Sequence, residues 1–111
     1  MSASPSRILV TGGRGFIGAA LVAALRKDGF DARPGVRKPR SDGEAACDLD
    51  DATETRTATA GARLVVHTAY GDLGAMERQC ANLLAAMSDT RVDSLVYFSS
   101  IAVYGERDGA V

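Results

Sequence analysis

The sequence predicts an α/β protein in which short apolar strands alternate with helices to build a doubly wound parallel sheet. Short apolar runs at residues 7–11 (RILVT) and 62–68 (ARLVVHT) read as buried parallel strands, and residues 94–99 (SLVYFS) as the last strand. Between them apolar residues recur at helical spacing. Right-handed crossovers joining such units give a sheet of about five strands in the order 3-2-1-4-5, with ligand at the carboxyl ends of strands one and four.

The first run ends in Gly12-Gly13, as a strand feeding a tight turn does. After it Phe16, Ile17, Ala20, Leu21, Ala24 and Leu25 recur at helical spacing until Asp28-Gly29 supplies a stop, so this stripe is expected to pack back on the sheet. Residues 30–36 form a weaker strand candidate, because Pro34 and Gly35 interrupt it and Pro34 donates no ladder hydrogen bond. The polar segment RKPRSDG at 37–43 reads as a loop, and a third short strand follows near 44–47. Asp50 or Asp51 then caps a helix running toward Gly61. From Met76 the residues Cys80, Leu83, Leu84 and Met87 repeat at helix period and read as core packing. The expected division is an N-terminal tail at 1–6, one domain at 7–105 and a C-terminal tail at 106–111.

With 46% hydrophobic and 24% charged residues, the composition is that of a globular protein. A net charge of −1 offers no long-range field for nucleic acid or an anionic membrane, and neither is expected as a partner. No run approaches the ~20 apolar residues of a membrane span, and MSASPSR at the N-terminus has no signal-peptide core. A cytoplasmic location is expected. Cys47 and Cys80 lack metal-ligand spacing and the lone His67 cannot complete a zinc set, so both are expected as buried thiols and no metal is expected.

In TGGRGFIG at 11–18, Gly12, Gly15 and Gly18 fall at three-residue spacing between a strand and a helix, the context that makes a glycine pattern a Rossmann dinucleotide turn. Gly12 permits the sharp turn, Gly15 the approach of backbone to a pyrophosphate, and Gly18 the close packing of helix on sheet. Amides at the helix start, around Phe16 and Ile17, face the anion. A preference for NAD usually brings an acid to the end of the second strand, about 20 residues past the turn. Here Gly35-Val36-Arg37-Lys38 holds no carboxylate. Arg37 offers a planar donor fork suited to a 2′-phosphate, with Arg14 as a second contact, so NADP is favoured over NAD. The alternative is that Arg37 and Lys38 are a solvated loop.

Three segments, TGGRGFIG at 11–18, VVHTA at 65–69 and SSIAVYG at 99–105, together with Asp48-Leu49 and Asn82-Leu83-Leu84, resemble the extended short-chain dehydrogenase/reductase superfamily. Within it the resemblance is to the NAD-dependent epimerase/dehydratase group, which includes nucleotide-sugar epimerases. The resemblance implies that Asp48 accepts a hydrogen bond from the adenine amino group and Leu49 lies against the ring, whereas Asp48 taken alone reads as a helix-capping acid. It implies that His67, Thr68 and Ala69 line the ribose and nicotinamide side of the cleft. A lone histidine at a strand end is otherwise structural. It also implies that Ser100, four positions before Tyr104, hydrogen-bonds the reacting oxygen; taken alone, Ser100 reads as a turn hydroxyl. The sequence departs from the family where Met76 stands in place of an asparagine six positions ahead of Asn82, and where Gln79 and Cys80 replace a glycine and a threonine.

The family's chemistry uses a tyrosine followed four residues later by lysine. The tyrosines here, Tyr70, Tyr97 and Tyr104, are followed at that spacing by Gly74, Ile101 and Asp108, and Lys27 and Lys38 precede them all. The chain is therefore expected to be the N-terminal portion of a longer protein, ending before the later strands and the substrate domain, and inactive alone. Two functions follow as expectations. One is the cofactor-binding part of an epimerase, dehydratase or reductase that transfers hydride on a small molecule such as a nucleotide sugar. The other is a non-catalytic dinucleotide-binding module. An unpaired sheet edge after the fifth strand would favour self-association.

Overall fold

A computed structural model describes residues 7–68 and 73–97. Strand β1 (Arg7–Thr11) leads into helix α1 (Phe16–Lys27), followed by β2 (Asp31–Val36), β3 (Ala45–Ala46), α2 (Ala52–Thr59), β4 (Leu64–His67), α3 (Leu73–Thr90) and β5 (Ser94–Tyr97). All pairings are parallel and the strand order is β3-β2-β1-β4-β5, the order the alternation of strands and helices predicts. The expected tails, and the end of the fifth strand at residues 98–99, lie outside the described residues.

Strand alternation splits the core in two. Ile8, Val10, Ala32 and Val66 meet Val22 of α1 on one face, while Leu9 and Val65 meet Leu83 and Met87 of α3 on the other, with Ala58 of α2 packed alongside. Val10, Val65 and Leu83 are fully buried, each contributing about 1.5–3 kcal/mol of hydrophobic stabilisation.

Two local expectations are corrected. The apolar stripe on α1 faces the sheet only in part: Leu21 and Leu25 are half-buried against the core beside the buried Gly18 and Val22, whereas Phe16 is 95% exposed and Ile17, Ala20 and Ala24 are exposed. The face that can come closest is the one carrying a residue without a side chain, and Gly18 sets it. On α3 Leu84 is likewise exposed while Leu83 and Met87 are buried.

Pro34 and Gly35 do not interrupt the second strand. The carbonyl of Gly35 accepts from Gly13 N–H on one side and that of Val36 accepts from Cys47 N–H on the other. By alternation the Pro34 nitrogen faces the β3 side, but β3 pairs only with Gly35 and Val36. The missing N–H falls beyond the end of that short ladder and no hydrogen bond is lost.

The helix termini follow their capping residues. Asp51, one of the two caps expected, accepts from Glu54 N–H at 3.0 Å, and Glu54 reaches on to Asp48 N–H at 2.7 Å. No helix among the described residues is long and apolar enough to cross a membrane.

Candidate functional site

The glycine turn sits at the carboxyl end of β1. Gly12 has φ 66°, a left-handed conformation that glycine adopts without strain, and its carbonyl accepts from Gly15 N–H at 2.9 Å. A side chain on Gly18 would collide with that same Gly12 carbonyl, so the helix lies against the turn only because residue 18 is glycine. Gly13 is held equally close to Pro34, which explains the doubled glycine that the spacing alone left without a role. No side chain caps the first turn of α1, leaving its amides directed at the turn's mouth, where an anion is favoured.

Beside the turn lies a cleft of about 250 Å³ bounded by Gly12, Gly15, Arg14, Arg37, Leu49 and Gln79, with Gly35, Val36 and Cys47 at its floor. The sheet brings these together because β1 and β2 end side by side, Thr11 level with Gly35. Leu49 is buried on the cleft wall, and its carbonyl accepts from Asn82 Nδ2 at 2.9 Å, tying the segment after β3 to α3. Asp48 is not the helix cap; its carboxylate accepts from Asp50 N–H at 3.0 Å, in a turn beside Leu49.

Both candidate phosphate-binding arginines are at the cleft, and both meet carboxylates. Arg14 forks onto Glu44 at 2.6 and 3.0 Å and donates to the Lys38 carbonyl at 2.9 Å. Glu44 also accepts from Arg40 N–H, and the Arg14 guanidinium together with this amide holds its carboxyl below the usual range. Arg37 is 70% exposed and meets Asp50 at 3.4 Å, a loose and solvent-screened pair. Among the described residues no group of three or more metal-ligating side chains assembles.

The other expected residues divide. Thr68 locks the turn, its hydroxyl donating to the Thr11 carbonyl at 2.5 Å and its N–H to Thr11 Oγ1 at 3.1 Å. His67 is 3% exposed, shares a 2.7 Å hydrogen bond with Thr11 Oγ1 and meets the Tyr97 ring edge-on at 5.3 Å. It is not among the residues that line the cleft described above, and burial lowers its pKa from the ordinary 6.5. Phe16 and Ile17 contribute their backbone to the helix start while their side chains project outward. Ala69 and Ser100 lie outside the described residues.

Three contributors escaped the sequence reading. Gln79 lines the cleft, and its spacing of three from Asn82 on one helix face was the available signal. Cys47 lies at the floor, where burial above all, with the nearby Glu54 and Asp48 charges, pushes its thiol up to about 12. Asp50, treated as a cap, instead meets Arg37, Arg78 and Gln79.

The residues fit a dinucleotide: a turn kept free of side chains, uncapped helix amides and an adjoining half-apolar cleft. The model of the NAD dependent epimerase/dehydratase family matches residues 8–110. A short-chain dehydrogenase/reductase superfamily protein from Agrobacterium tumefaciens, with bound NAD, is 33% identical at TM-score 0.74, over 90% of this chain and 34% of that one. UDP-N-acetylglucosamine 4-epimerase from Bacillus cereus is 26% identical at TM-score 0.75, over 95% of this chain and 43% of that one. Uronate dehydrogenase from Agrobacterium tumefaciens, 24% identical at TM-score 0.70 over 86% of this chain and 41% of that one, shares the fold. The chain thus spans less than half the length of each. No curated protein matches it.

Proposed function

Because the chain belongs to the NAD dependent epimerase/dehydratase family, we propose that it is the nicotinamide-dinucleotide-binding portion of a hydride-transferring enzyme, with NADP preferred over NAD. The observation that carries the reading is the side-chain-free turn, in which Gly18 abuts the Gly12 carbonyl beneath an uncapped helix start. The pyrophosphate belongs on those amides and the adenosine end in the cleft walled by Leu49, with Asp48 toward the adenine amino group. When bound, the cofactor supplies the hydride chemistry. This chain's residues bind and orient it. The preference for NADP is supported by Arg37, exposed just after β2, whose own end carries no carboxylate for a ribose hydroxyl; the Asp50 carboxylate beside it is held by the arginine.

In the longer protein Thr68 and Ala69 border the nicotinamide side, and Ser100 donates to the reacting oxygen of a small hydroxylated substrate, nucleotide sugars being one class. The free Cys47 and Cys80 suit a reducing compartment such as the cytoplasm. The chemistry calls for neither nucleic acid nor membrane. Among the described residues β5 pairs only with β4, which supports self-association through its outer edge; a monodisperse monomer by light scattering at high concentration would refute that.

Titration calorimetry of the 111-residue chain with NADP, NAD and ADP-ribose tests the reading. NADP is expected to bind more tightly than NAD, with Arg37→Ala narrowing the gap. Equal affinities would remove the NADP preference, and no binding of any dinucleotide below about 1 mM would remove the reading itself. A second reading, a non-catalytic dinucleotide-binding module, is favoured by the absence of lysine four residues after any of the three tyrosines. Whether sequence following Val111 supplies a Tyr-x-x-x-Lys pair decides between them.

A further inference from the structure

At the rim of the cleft one carboxylate is held by side chains from two separate elements. Asp50 Oδ2 meets the Arg37 guanidinium at 3.4 Å and Gln79 Nε2 at 3.4 Å, while its Oδ1 meets Arg78 through Nε at 3.3 Å and a terminal nitrogen at 3.2 Å. Arg37 follows β2, whereas Arg78 and Gln79 ride on α3. Two guanidiniums converging on the two oxygens of a single carboxylate are close enough together to grip a single phosphate. They are also free to adjust, with side chains 70% and 63% exposed.

We infer that Arg78 is a second ligand for the cofactor's 2′-phosphate, delivered across the cleft by α3, and that Asp50 is the internal anion holding the place this phosphate takes. The inference rests on the NADP reading above and adds to it the residue that closes the site from the opposite side. A phosphate carries close to twice the charge of a carboxylate and offers three acceptor oxygens, so it competes well for two planar donor forks. Gln79, at the cleft wall, adds an uncharged donor. Arg14 is held more tightly than either Arg37 or Arg78, its fork on Glu44 at 2.6 and 3.0 Å and on the Lys38 carbonyl at 2.9 Å, and so is less free to turn to a phosphate.

The test compares 2′,5′-ADP with 5′-AMP, probes that differ only in the 2′-phosphate, by titration calorimetry on the 111-residue chain. Arg78→Ala is expected to weaken 2′,5′-ADP roughly tenfold and leave 5′-AMP unchanged. Asp50→Asn is expected to strengthen 2′,5′-ADP several-fold, since the competing carboxylate is gone. Arg56→Ala, which removes the same charge from the distant Asp89 pair, is the control for general electrostatics, and thermal melts establish that each variant is folded. An Arg78→Ala loss no greater than that of Arg56→Ala, a loss shared equally by 5′-AMP, or a weaker 2′,5′-ADP complex in Asp50→Asn overturns the inference. If the parent chain prefers 2′,5′-ADP and only Arg37→Ala abolishes the preference, Arg78 is excluded while the NADP reading stands. If the parent chain shows no preference, both fall.

Discussion

Thr11 Oγ1 and His67 Nδ1 lie 2.7 Å apart, joining the carboxyl ends of β1 and β4 through a buried side-chain hydrogen bond. The same hydroxyl accepts from Thr68 N–H, so the bond belongs to the lock that fixes the glycine turn beside β4. A neutral imidazole suits this place, because protonation would put a charge among buried groups.

Burial lowers the His67 pKa from its ordinary 6.5, so the unfolded chain takes up the proton first. Stability is therefore full above about pH 6.5 and falls as the pH drops through that value toward the folded pKa. His67 is the sole histidine, so denaturant unfolding between about pH 7.5 and about pH 5 reads it in isolation from the carboxylates, which titrate lower. His67→Gln should flatten the slope in this window, and an unchanged slope would discount the assignment.

Gly18→Ala drives a methyl into the Gly12 carbonyl and the Thr68 hydroxyl. Backbone on one side and a locked side chain on the other leave little room to yield, and a loss of about 1–3 kcal/mol is expected in chemical denaturation. Dinucleotide binding should weaken as well, because the turn and helix start move apart. A variant with parental stability and affinity would show that the approach is not required.

Asn82→Leu conserves bulk but leaves the buried Leu49 carbonyl without its 2.9 Å donor. The expected cost is about 1–3 kcal/mol of stability. Affinity for 5′-ADP should drop too, since Leu49 forms the cleft wall. Calorimetry showing undiminished 5′-ADP binding would separate this anchor from the site.

With its pKa pushed up to about 12 by burial and neighbouring carboxylates, the Cys47 thiol holds almost no thiolate at neutral pH. Mass spectrometry after brief native alkylation should find Cys47 unmodified, and modification should follow unfolding in denaturant. Rapid native labelling at Cys47 would mean that the floor of the cleft opens.

Much of the fold was legible because local pattern and topology agree. β1, β4 and the start of β5 lie where continuous apolar runs meet turn residues, and the right-handed crossover rule orders them. The glycine turn was legible for the same reason: its constraint is the absence of side chains, which sequence records directly. Orientation was not. Phe16 and Ile17 belong to an apolar stripe yet point outward, because Gly18 decides which face of α1 approaches the sheet. Pro34 resembled a strand breaker because its harm depends on which neighbour its nitrogen faces, and that is a property of the pairing with β3.

The sequence by itself determined the alternation of strands and helices, the turn at 11–18 and the family of the chain, since each depends on residues near one another or on an ordered series of motifs. Only the tertiary structure decided which charges meet. Glu44 claims Arg14 from 30 residues away and Asp50 meets Arg78 from 28 away. Such pairs form because the sheet brings strand ends and α3 to one rim, and Coulombic attraction acts through space without regard to separation along the chain.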